Sequence, residues 1–225
     1  MSIERKAFHQ LSYGLYLASA EYEGERAACV INTAVQVSSN PFQLVIIVNK
    51  DNHTHVLIEK SKKFLVMALN QHCDMDFIRN FGFQSSKDVD KFKSFETGHT
   101  SQEHTFVDSN EVSAVFECKV TGTLDGHTHT IFLGEVIEAF EHNTTEKPLT
   151  YDYYRGVLKG KTPPKASSYV GDEPENTDRD LTKKGLHRFE CQVCGYIYET
   201  EEDELPDDFI CPLCKAPKEK FKKLS

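Results

Sequence analysis

Four cysteines near the end of the chain form two Cys-x-x-Cys pairs, Cys191 with Cys194 and Cys211 with Cys214. Each pair turns the backbone so that two thiolates face one point, and two such pairs can enclose one metal ion in a tetrahedron of sulfur atoms. The spacing therefore predicts a mononuclear metal site rather than a pair of disulfides. Sixteen residues separate the two pairs, and this spacing also fits a structural zinc ribbon.

Aromatic residues around the cysteines favour iron over zinc. Burial and amide hydrogen bonds to sulfur set the potential of an iron centre, whereas zinc would only stabilise the fold. The aromatic residues are more than so small a module needs unless they shield its metal from water. They are Phe189, Tyr196, Tyr198, Phe209 and Phe221.

The same residues carry a resemblance to a known family. Cys-x-x-Cys-Gly-Tyr-Ile-Tyr, followed by Leu-Pro-Asp-Asp-Phe-x-Cys-Pro-Leu-Cys, resembles rubredoxin over residues 188–223. The loop between the pairs is shorter than in free-standing rubredoxins, Phe209 stands where Trp is common, and Lys215 stands where Gly is frequent. The resemblance implies one iron held by four cysteine thiolates.

Charge and hydropathy limit the classes of partner. The net charge is −9, and seven acidic residues lie within residues 199–208, which argues against nucleic acid as a partner. This acidic stretch is either a solvated face or a docking face for a positively charged protein. No long apolar run predicts a signal peptide or a membrane span, and we expect a thiol-rich chain of this kind in the reducing cytoplasm.

The first 160 residues read as a mainly β domain. Apolar patterns predict strands at residues 11–20, 26–38, 44–49 and 64–70, with 44–49 buried on both faces, and short helices at 54–61 and 74–81. Residues 112–124 and 130–140 predict a hairpin around Asp125-Gly126. There is no βαβ rhythm and no G-x-G-x-x-G. We therefore predict an antiparallel β-barrel with peripheral helices rather than a doubly wound sheet.

Three polar stretches in this domain are candidates for binding a ligand. Residues 32–41 lead a strand into small polar residues and a proline, where unpaired amides could face a flat heterocycle; an ordinary strand-to-turn transition is the alternative. Residues 49–55 bring a lysine, a hydroxyl and imidazoles to a helix N-terminus, which suits a phosphate or is simply an N-cap. Residues 85–92 place hydroxyls and lysines at a predicted helix start, which by itself is only a capped helix.

Together, over residues 5–170, these stretches resemble the flavin-reductase-like family, whose split β-barrel binds FMN at a homodimer interface. The resemblance also rests on the closing Tyr-Asp-Tyr-Tyr-Arg-Gly and Thr-Pro-Pro-Lys-Ala-x-x-Tyr segments, whereas Ser86 and Lys87 stand where relatives often have Gly and Arg. It implies contacts in three groups. Thr33, Gln36, Val37 and Ser38 would lie along the isoalloxazine, Lys50, Asn52, Thr54 and His55 would hold the ribityl chain and phosphate, and Ser85, Lys91 and Tyr169 are further contacts.

The remaining cysteines and the turn histidines suggest no second metal site. Cys29, Cys73 and Cys118 follow no pairing rule and are interpreted as small buried hydrophobes, and His127 and His129 as exposed turn residues. We predict three segments: residues 1–160 as the flavin domain, 161–187 as a linker rich in proline and acidic residues, and 188–225 as the rubredoxin domain. As coil, the linker would reach about 30 Å.

The two resemblances imply an FMN-dependent oxidoreductase in which no side chain acts as nucleophile or general base. Electrons would pass from NAD(P)H through FMN to the iron, and on to a redox partner such as a flavodiiron protein that reduces oxygen or nitric oxide. Two alternatives remain. One is an electron carrier that a separate reductase reduces, without NAD(P)H activity of its own; the other is a flavin-binding module stapled by zinc.

Overall fold

A computed structural model describes residues 3–163, 165–169, 187–193, 196–211 and 216–224. The chain divides into two compact units, and each is described by itself. The larger unit comprises Ser12–Gly160 together with Lys165–Ser167, and the smaller one includes the cysteine-rich C-terminal region. Most of the predicted linker lies outside the described residues, so its limits at 161 and 187 stay a prediction.

The larger unit consists of nine strands and three short helices. The strands are β1 (Tyr16–Tyr22), β2 (Glu25–Ile31), β3 (Ala34–Ser39), β4 (Phe42–Asn49), β5 (Lys63–Leu69), β6 (Thr97–His99), β7 (Thr105–Val107), β8 (Val112–Gly126) and β9 (His129–Glu141). The helices are α1 (His53–Ser61), α2 (Met75–Gly82) and α3 (Tyr151–Gly156). Seven strands form one antiparallel sheet in the order β2-β1-β5-β8-β9-β4-β3, and β6 pairs with β7.

The seven-stranded sheet curves around an apolar core. Ala27 of β2 and Ile46 of β4 belong to one buried cluster, although their strands stand first and sixth in the sheet order. Phe64 and Phe132 complete this cluster, and α1 inserts Leu57, which is fully buried. Each large apolar side chain buried in this way contributes about 1.5–3 kcal/mol to folding. The predicted mainly β fold with short peripheral helices is confirmed.

A second core covers the other face of the sheet. Met67 and Val115 of the sheet pack with Phe77 and Phe81 of α2. Helix α2 begins where predicted, because the Asp74 carboxylate accepts hydrogen bonds from the amides of Asp76, at 2.9 Å, and Phe77, at 2.8 Å. Such a cap is worth about 1 kcal/mol. The sheet and α2 therefore pack against each other through this second core.

Two strand predictions need correction. The single strand predicted for 26–38 is two strands, β2 and β3, because the chain passes at Asn32 and Thr33 from the first position of the sheet order to the last. The strand predicted for 11–20 begins only at Tyr16. Strand β4 was predicted to be buried on both faces, yet Ile46 is buried and Val45 is only half-buried. One face of β4 is therefore partly open.

Two turn predictions also differ from the structure. The β8–β9 hairpin exists, but its turn is His127-Thr128, and Asp125 and Gly126 end strand β8. The Asp125 carboxylate stabilises this turn by accepting from the amide of His127 at 2.8 Å, and His127 has a φ of 62°. Residues 85–92 form successive turns and not the predicted helix start.

The described part of the smaller unit centres on a three-stranded sheet. Its strands β10 (His187–Cys191), β11 (Ile197–Thr200) and β12 (Phe221–Leu224) lie in the order β11-β10-β12. Two 3-10 helices, Arg5–Gln10 and Lys218–Lys220, also occur in the described chain. Among the described residues, no helix is long and apolar enough to span a membrane.

Candidate flavin and metal sites

Strand β3 lies last in the sheet order and presents the first group of predicted contacts. A bulge between Gln36 and Ser38 turns Val37 outward, where its side chain is 53% exposed. The side-chain amide of Gln36 donates to the carbonyl oxygen of Ser38 at 3.3 Å, and the Thr33 hydroxyl donates to the Asn32 side-chain oxygen at 3.1 Å. This strand therefore offers an exposed apolar side chain beside polar groups, which suits the plane and edge of a heterocycle.

The N-terminus of α1 lacks a side-chain cap. Asn52 occupies the N-cap position in an extended conformation, but its side chain makes no capping hydrogen bond. The preceding loop is ordered by Asn49, whose side-chain oxygen accepts from the amide of Asp51 at 2.9 Å. The helix dipole and uncapped amides of a first turn attract anions. Within the described residues, this helix start can therefore receive a phosphate.

Thr54 and His55, two of the predicted phosphate contacts, have buried side chains. Thr54 is 1% exposed and its hydroxyl hydrogen-bonds the thiol of Cys29, while His55 is 5% exposed and its Nε2 lies 2.7 Å from Thr130 Oγ1. Burial lowers the pKa of His55, which favours the neutral ring. Both side chains anchor α1 to the barrel. Their contact with phosphate stays a prediction, and it would involve the backbone amide of Thr54, since the His55 amide donates to the Asn52 carbonyl oxygen at 3.1 Å.

Lys50 lies in the loop between β4 and α1. Its ammonium donates to the Asp125 carboxylate at 2.7 Å, and its amide donates to the carbonyl oxygen of Thr128 at 3.0 Å. The hydrogen bond from Lys50 lowers the pKa of Asp125. Lys50 therefore connects the loop before α1 to the β8–β9 turn and keeps a positive charge near the helix start.

Lys91 and Ser85, two members of the third group of predicted contacts, form hydrogen bonds with backbone groups. Lys91 is 4% exposed, and its ammonium donates to the carbonyl oxygens of Ala28 and Phe81, both at 2.7 Å. Burial lowers the pKa of Lys91 to about 8. Ser85 is exposed and accepts from the amide of Lys87 at 3.2 Å. Lys91 therefore holds its segment against β2, and its predicted role as a flavin contact has no support in these hydrogen bonds.

Tyr169 is half-buried and falls in the smaller unit, and its contact with flavin stays a prediction. Sequence reasoning missed residues that do belong to the site region. Lys165–Ser167, predicted as linker, belong to the larger unit. The Ser167 hydroxyl donates to Asn32 at 2.8 Å, and Asn49 donates to the Lys165 carbonyl at 3.0 Å. The Pro-Pro sequence just before them gave no signal of this packing.

The candidate metal site is described for one cysteine of each pair. Cys191 and Cys211 are both fully buried. The amide of Cys191 donates to the Tyr196 carbonyl and the amide of Cys211 to the Ala216 carbonyl, each at 2.8 Å, so both turns close five residues after their first cysteine. Cys194 and Cys214 lie outside the described residues. Two buried thiols in matching turns fit a metal held by thiolates.

Aromatic side chains pack in this small unit as the sequence predicted. The rings of Tyr198 and Phe209 lie 4.6 Å apart, and those of Phe209 and Phe221 lie 5.2 Å apart. Phe189 is 6% exposed. These rings lie in the same small unit as the buried Cys191 and Cys211. An apolar environment is one of the factors that set the potential of an iron centre.

The remaining cysteines behave as buried hydrophobes. Cys29, Cys73 and Cys118 are all buried, and burial raises the pKa of each thiol. His127 is exposed and His129 is half-buried. In the described ranges, no group of three or more His, Cys, Asp or Glu side chains is arranged to hold a metal.

Comparison with known proteins identifies both parts of the chain. The flavin reductase-like domain model matches residues 8–159, and a rubrerythrin and rubredoxin-like domain model matches residues 189–222. The chain is 30% identical to the high molecular weight rubredoxin of Moorella thermoacetica, with 99% of this chain and 100% of that protein covered. It is 39% identical to a ferric-chelate reductase (NAD(P)H) of Archaeoglobus fulgidus, with 73% of this chain and 96% of that protein covered.

Solved structures share the fold of the larger unit. The NADH:FAD oxidoreductase SgcE6 of Streptomyces globisporus C-1027 superposes with a TM-score of 0.57 at 24% identity, covering 65% of this chain and 85% of that one. The flavin reductase HpaC has a TM-score of 0.56 at 20% identity, covering 65% and 90% of the two chains. The chain belongs to the flavin reductase-like family and carries a rubredoxin-like domain at its C-terminus.

Proposed function

We propose that the chain is an FMN-dependent NAD(P)H oxidoreductase that delivers electrons to an iron centre in its own rubredoxin-like domain. The observation that carries this proposal is the presence in one chain of a flavin reductase-like domain with an open helix N-terminus and of a buried two-turn cysteine site. A bound flavin accepts two electrons as a hydride and releases them singly, whereas one iron in four thiolates accepts one. The relative named as an NAD(P)H-dependent ferric-chelate reductase supports the donor.

The proposed flavin is FMN, and the uncapped start of α1 supports a flavin that carries a phosphate. The first amides of α1 and the nearby Lys50 would bind a terminal phosphate, and Asn52 leaves these amides uncapped. Gln36 and Val37 on strand β3 would contact the isoalloxazine with an amide and an apolar side chain. FMN should therefore bind more tightly than riboflavin, which lacks the phosphate.

The proposed metal is iron, held by Cys191, Cys194, Cys211 and Cys214. The described pair is fully buried, and aromatic rings pack against one another in the same small unit. A zinc site would need only the cysteine turns, since its function is structural. The aromatic surround therefore favours an electron-transfer centre over a structural one.

We further propose that the flavin domain forms a homodimer through the outer face of its sheet. Val35, Val45 and Leu133 lie side by side across β3, β4 and β9 on the side opposite the buried Ile46. Val35 is 54% exposed, and Leu124 on β8 is 64% exposed. A second copy would bury this apolar face at a gain of about 25 cal/mol for each square ångström removed from water.

The proposed acceptor is a redox protein such as a flavodiiron protein in a reducing cytoplasm. The stretch 199–208 carries acids, although Asp203 and Asp207 are paired with Lys223 and Lys218. The negative charge that is left unpaired among the described residues would guide a positively charged partner surface. A carrier that is reduced only by another enzyme is the alternative within the same fold.

An anaerobic titration of the purified chain with NADH, followed by visible absorption, tests the proposal. Loss of flavin absorption together with loss of the thiolate-to-iron colour is the expected result. Bleaching of neither centre by NADH or NADPH, with both bleached by dithionite, would establish the carrier alternative. A preparation that holds zinc in place of iron after growth in iron-rich medium would establish the zinc-stapled module.

A further inference from the structure

A three-residue segment, Lys165–Ser167, crosses the region of the candidate flavin site. The Lys165 carbonyl oxygen accepts two hydrogen bonds, from Asn49 Nδ2 at 3.0 Å and from His129 Nε2 at 3.1 Å. The Ser167 hydroxyl donates to Asn32 Oδ1 at 2.8 Å. The segment thus contacts the end of β2, the end of β4 and the start of β9 within three residues.

The segment holds two buried asparagines, Asn32 and Asn49, which precede the predicted contacts on β3 and at the start of α1. Asn32 is 7% exposed and its Oδ1 also accepts from Thr33, the first predicted isoalloxazine contact. Asn49 is 8% exposed and its Oδ1 accepts from the Asp51 amide, which orders the loop into α1. A buried amide side chain that loses a partner pays the cost of desolvation, about 1–3 kcal/mol. The side-chain positions of both asparagines therefore depend on their hydrogen bonds to the segment.

We propose that Lys165–Ser167 is a positioning strap for the flavin site. Through Asn32 it fixes Thr33, and through Asn49 it fixes the loop that presents the first amides of α1. The strap acts on the flavin through these residues and needs no contact of its own with the cofactor. This inference rests on the proposed flavin function and adds Ser167, His129 and the Lys165 carbonyl to the residues that determine it.

The strap also couples the flavin site to the following chain. If a docked strap favours flavin binding, bound flavin favours strap docking by the same factor, because coupling between two equilibria is reciprocal. Residue 168 and the rest of the tether to the rubredoxin-like domain follow the strap directly in sequence. By this coupling, bound flavin favours the docked state of Lys165–Ser167, the residues directly before the tether in sequence.

The test uses the full chain and a double variant, His129→Ala with Ser167→Ala, which removes a hydrogen bond at each end of the strap. The control is the matched double variant His99→Ala with Ser94→Ala, which changes two exposed side chains outside the seven-stranded sheet. Ser167→Thr keeps the hydroxyl. The measurements are the dissociation constant of FMN, by quenching of flavin fluorescence, and the visible circular dichroism of the bound flavin.

We expect the double variant to bind FMN at least fivefold more weakly with an altered flavin dichroism, while the control and Ser167→Thr stay within twofold of the unchanged chain. Equal affinity and an identical dichroism in the double variant would overturn the strap. If the double variant fails to fold, Ser167→Ala alone gives the same test with an expected loss of twofold or more. An unchanged chain that binds no FMN at micromolar concentration would instead overturn the proposed function.

Discussion

The proposed anion site at α1 predicts that a single added negative charge weakens the binding of FMN but not that of riboflavin. Asn52 stands at the N-cap with no capping hydrogen bond from its side chain and is half-buried. In Asn52→Asp, a carboxylate replaces a nearly isosteric amide at the positive end of the helix dipole. The variant should gain stability without flavin, because an acid in the first turn is worth about 0.3–1 kcal/mol. It should also lose affinity for a phosphate bound to the same turn.

The loss follows from Coulomb's law. A carboxylate and a phosphate that share one helix turn lie about 4–6 Å apart, and two unit charges at that separation repel by about 3–4 kcal/mol at the effective dielectric constant of about 20 found near protein surfaces. Salt and the half-exposed position reduce this value to about 1.5–3 kcal/mol. The dissociation constant of FMN should therefore rise by about tenfold to a hundredfold. That of riboflavin should stay within twofold.

The assay is a pair of fluorescence titrations, with FMN and with riboflavin, on the unchanged chain and on Asn52→Asp. Asn110→Asp is the matched control, because it makes the same change in net charge on the loop before β8. Thermal unfolding of the flavin-free forms reports the gain in helix stability. An equal weakening of both flavins would show a general distortion, and unchanged FMN affinity would show that the phosphate does not lie at α1; either result refutes the reasoning.

Three further predictions concern the metal, the buried lysine and the dimer. Cys211→Ser should abolish the thiolate-to-iron absorption and leave FMN binding unchanged, and a variant that kept full colour would refute the iron assignment. The pKa of Lys91 is about 8 in the folded chain against 10.5 in the unfolded one. Between these pH values the unfolded state therefore binds more protons than the folded state. The difference in the free energy of unfolding between the unchanged chain and Lys91→Met should rise by up to about 3 kcal/mol from pH 8 to 10.5, as urea titrations would measure. A difference that does not change with pH would contradict the buried charge. Val35→Lys should convert the proposed dimer to monomer in light scattering, whereas Val89→Lys, at a valine that is 40% exposed outside the sheet, should not. A monomeric unchanged chain would refute the proposed interface.

The tether gives a separate kinetic prediction. A protease site inserted between residues 174 and 181 lets the two domains be separated after purification. Tethering supplies an effective concentration near the millimolar range, so the cut halves at micromolar concentration should reduce iron far more slowly while NADH still bleaches the flavin. Stopped-flow absorption measures both steps. Equal rates in the cut and intact protein would show that electrons do not pass within the chain.

Local patterns in the sequence were sufficient for most elements of the fold. Asp74 caps α2 where a capping acid precedes an apolar face, and the apolar run in β5 is buried along almost its whole length. The error at Asn32 has a different origin. Residues on either side of it have equally strong strand patterns, and only the closure of the sheet places β2 first and β3 last in the order. Such a break is a property of the whole sheet and leaves no local signal.

The site shows the same division between local and long-range information. The sequence indicated a helix start with Asn52 or Thr54 as the cap, because a polar loop before an apolar helix is a local pattern, and the structure has Asn52 at the N-cap. The resemblance to the flavin-reductase-like family implied Lys91 as a further flavin contact, and the structure shows this ammonium donating to two backbone carbonyl oxygens. The hydrogen bond between Ser167 and Asn32 spans 135 residues of sequence, and no local pattern indicated it. A contact of that range becomes visible only once the strands between the two residues have formed their sheet. Local composition therefore placed Ser167 in the predicted linker, although the family resemblance extended to residue 170.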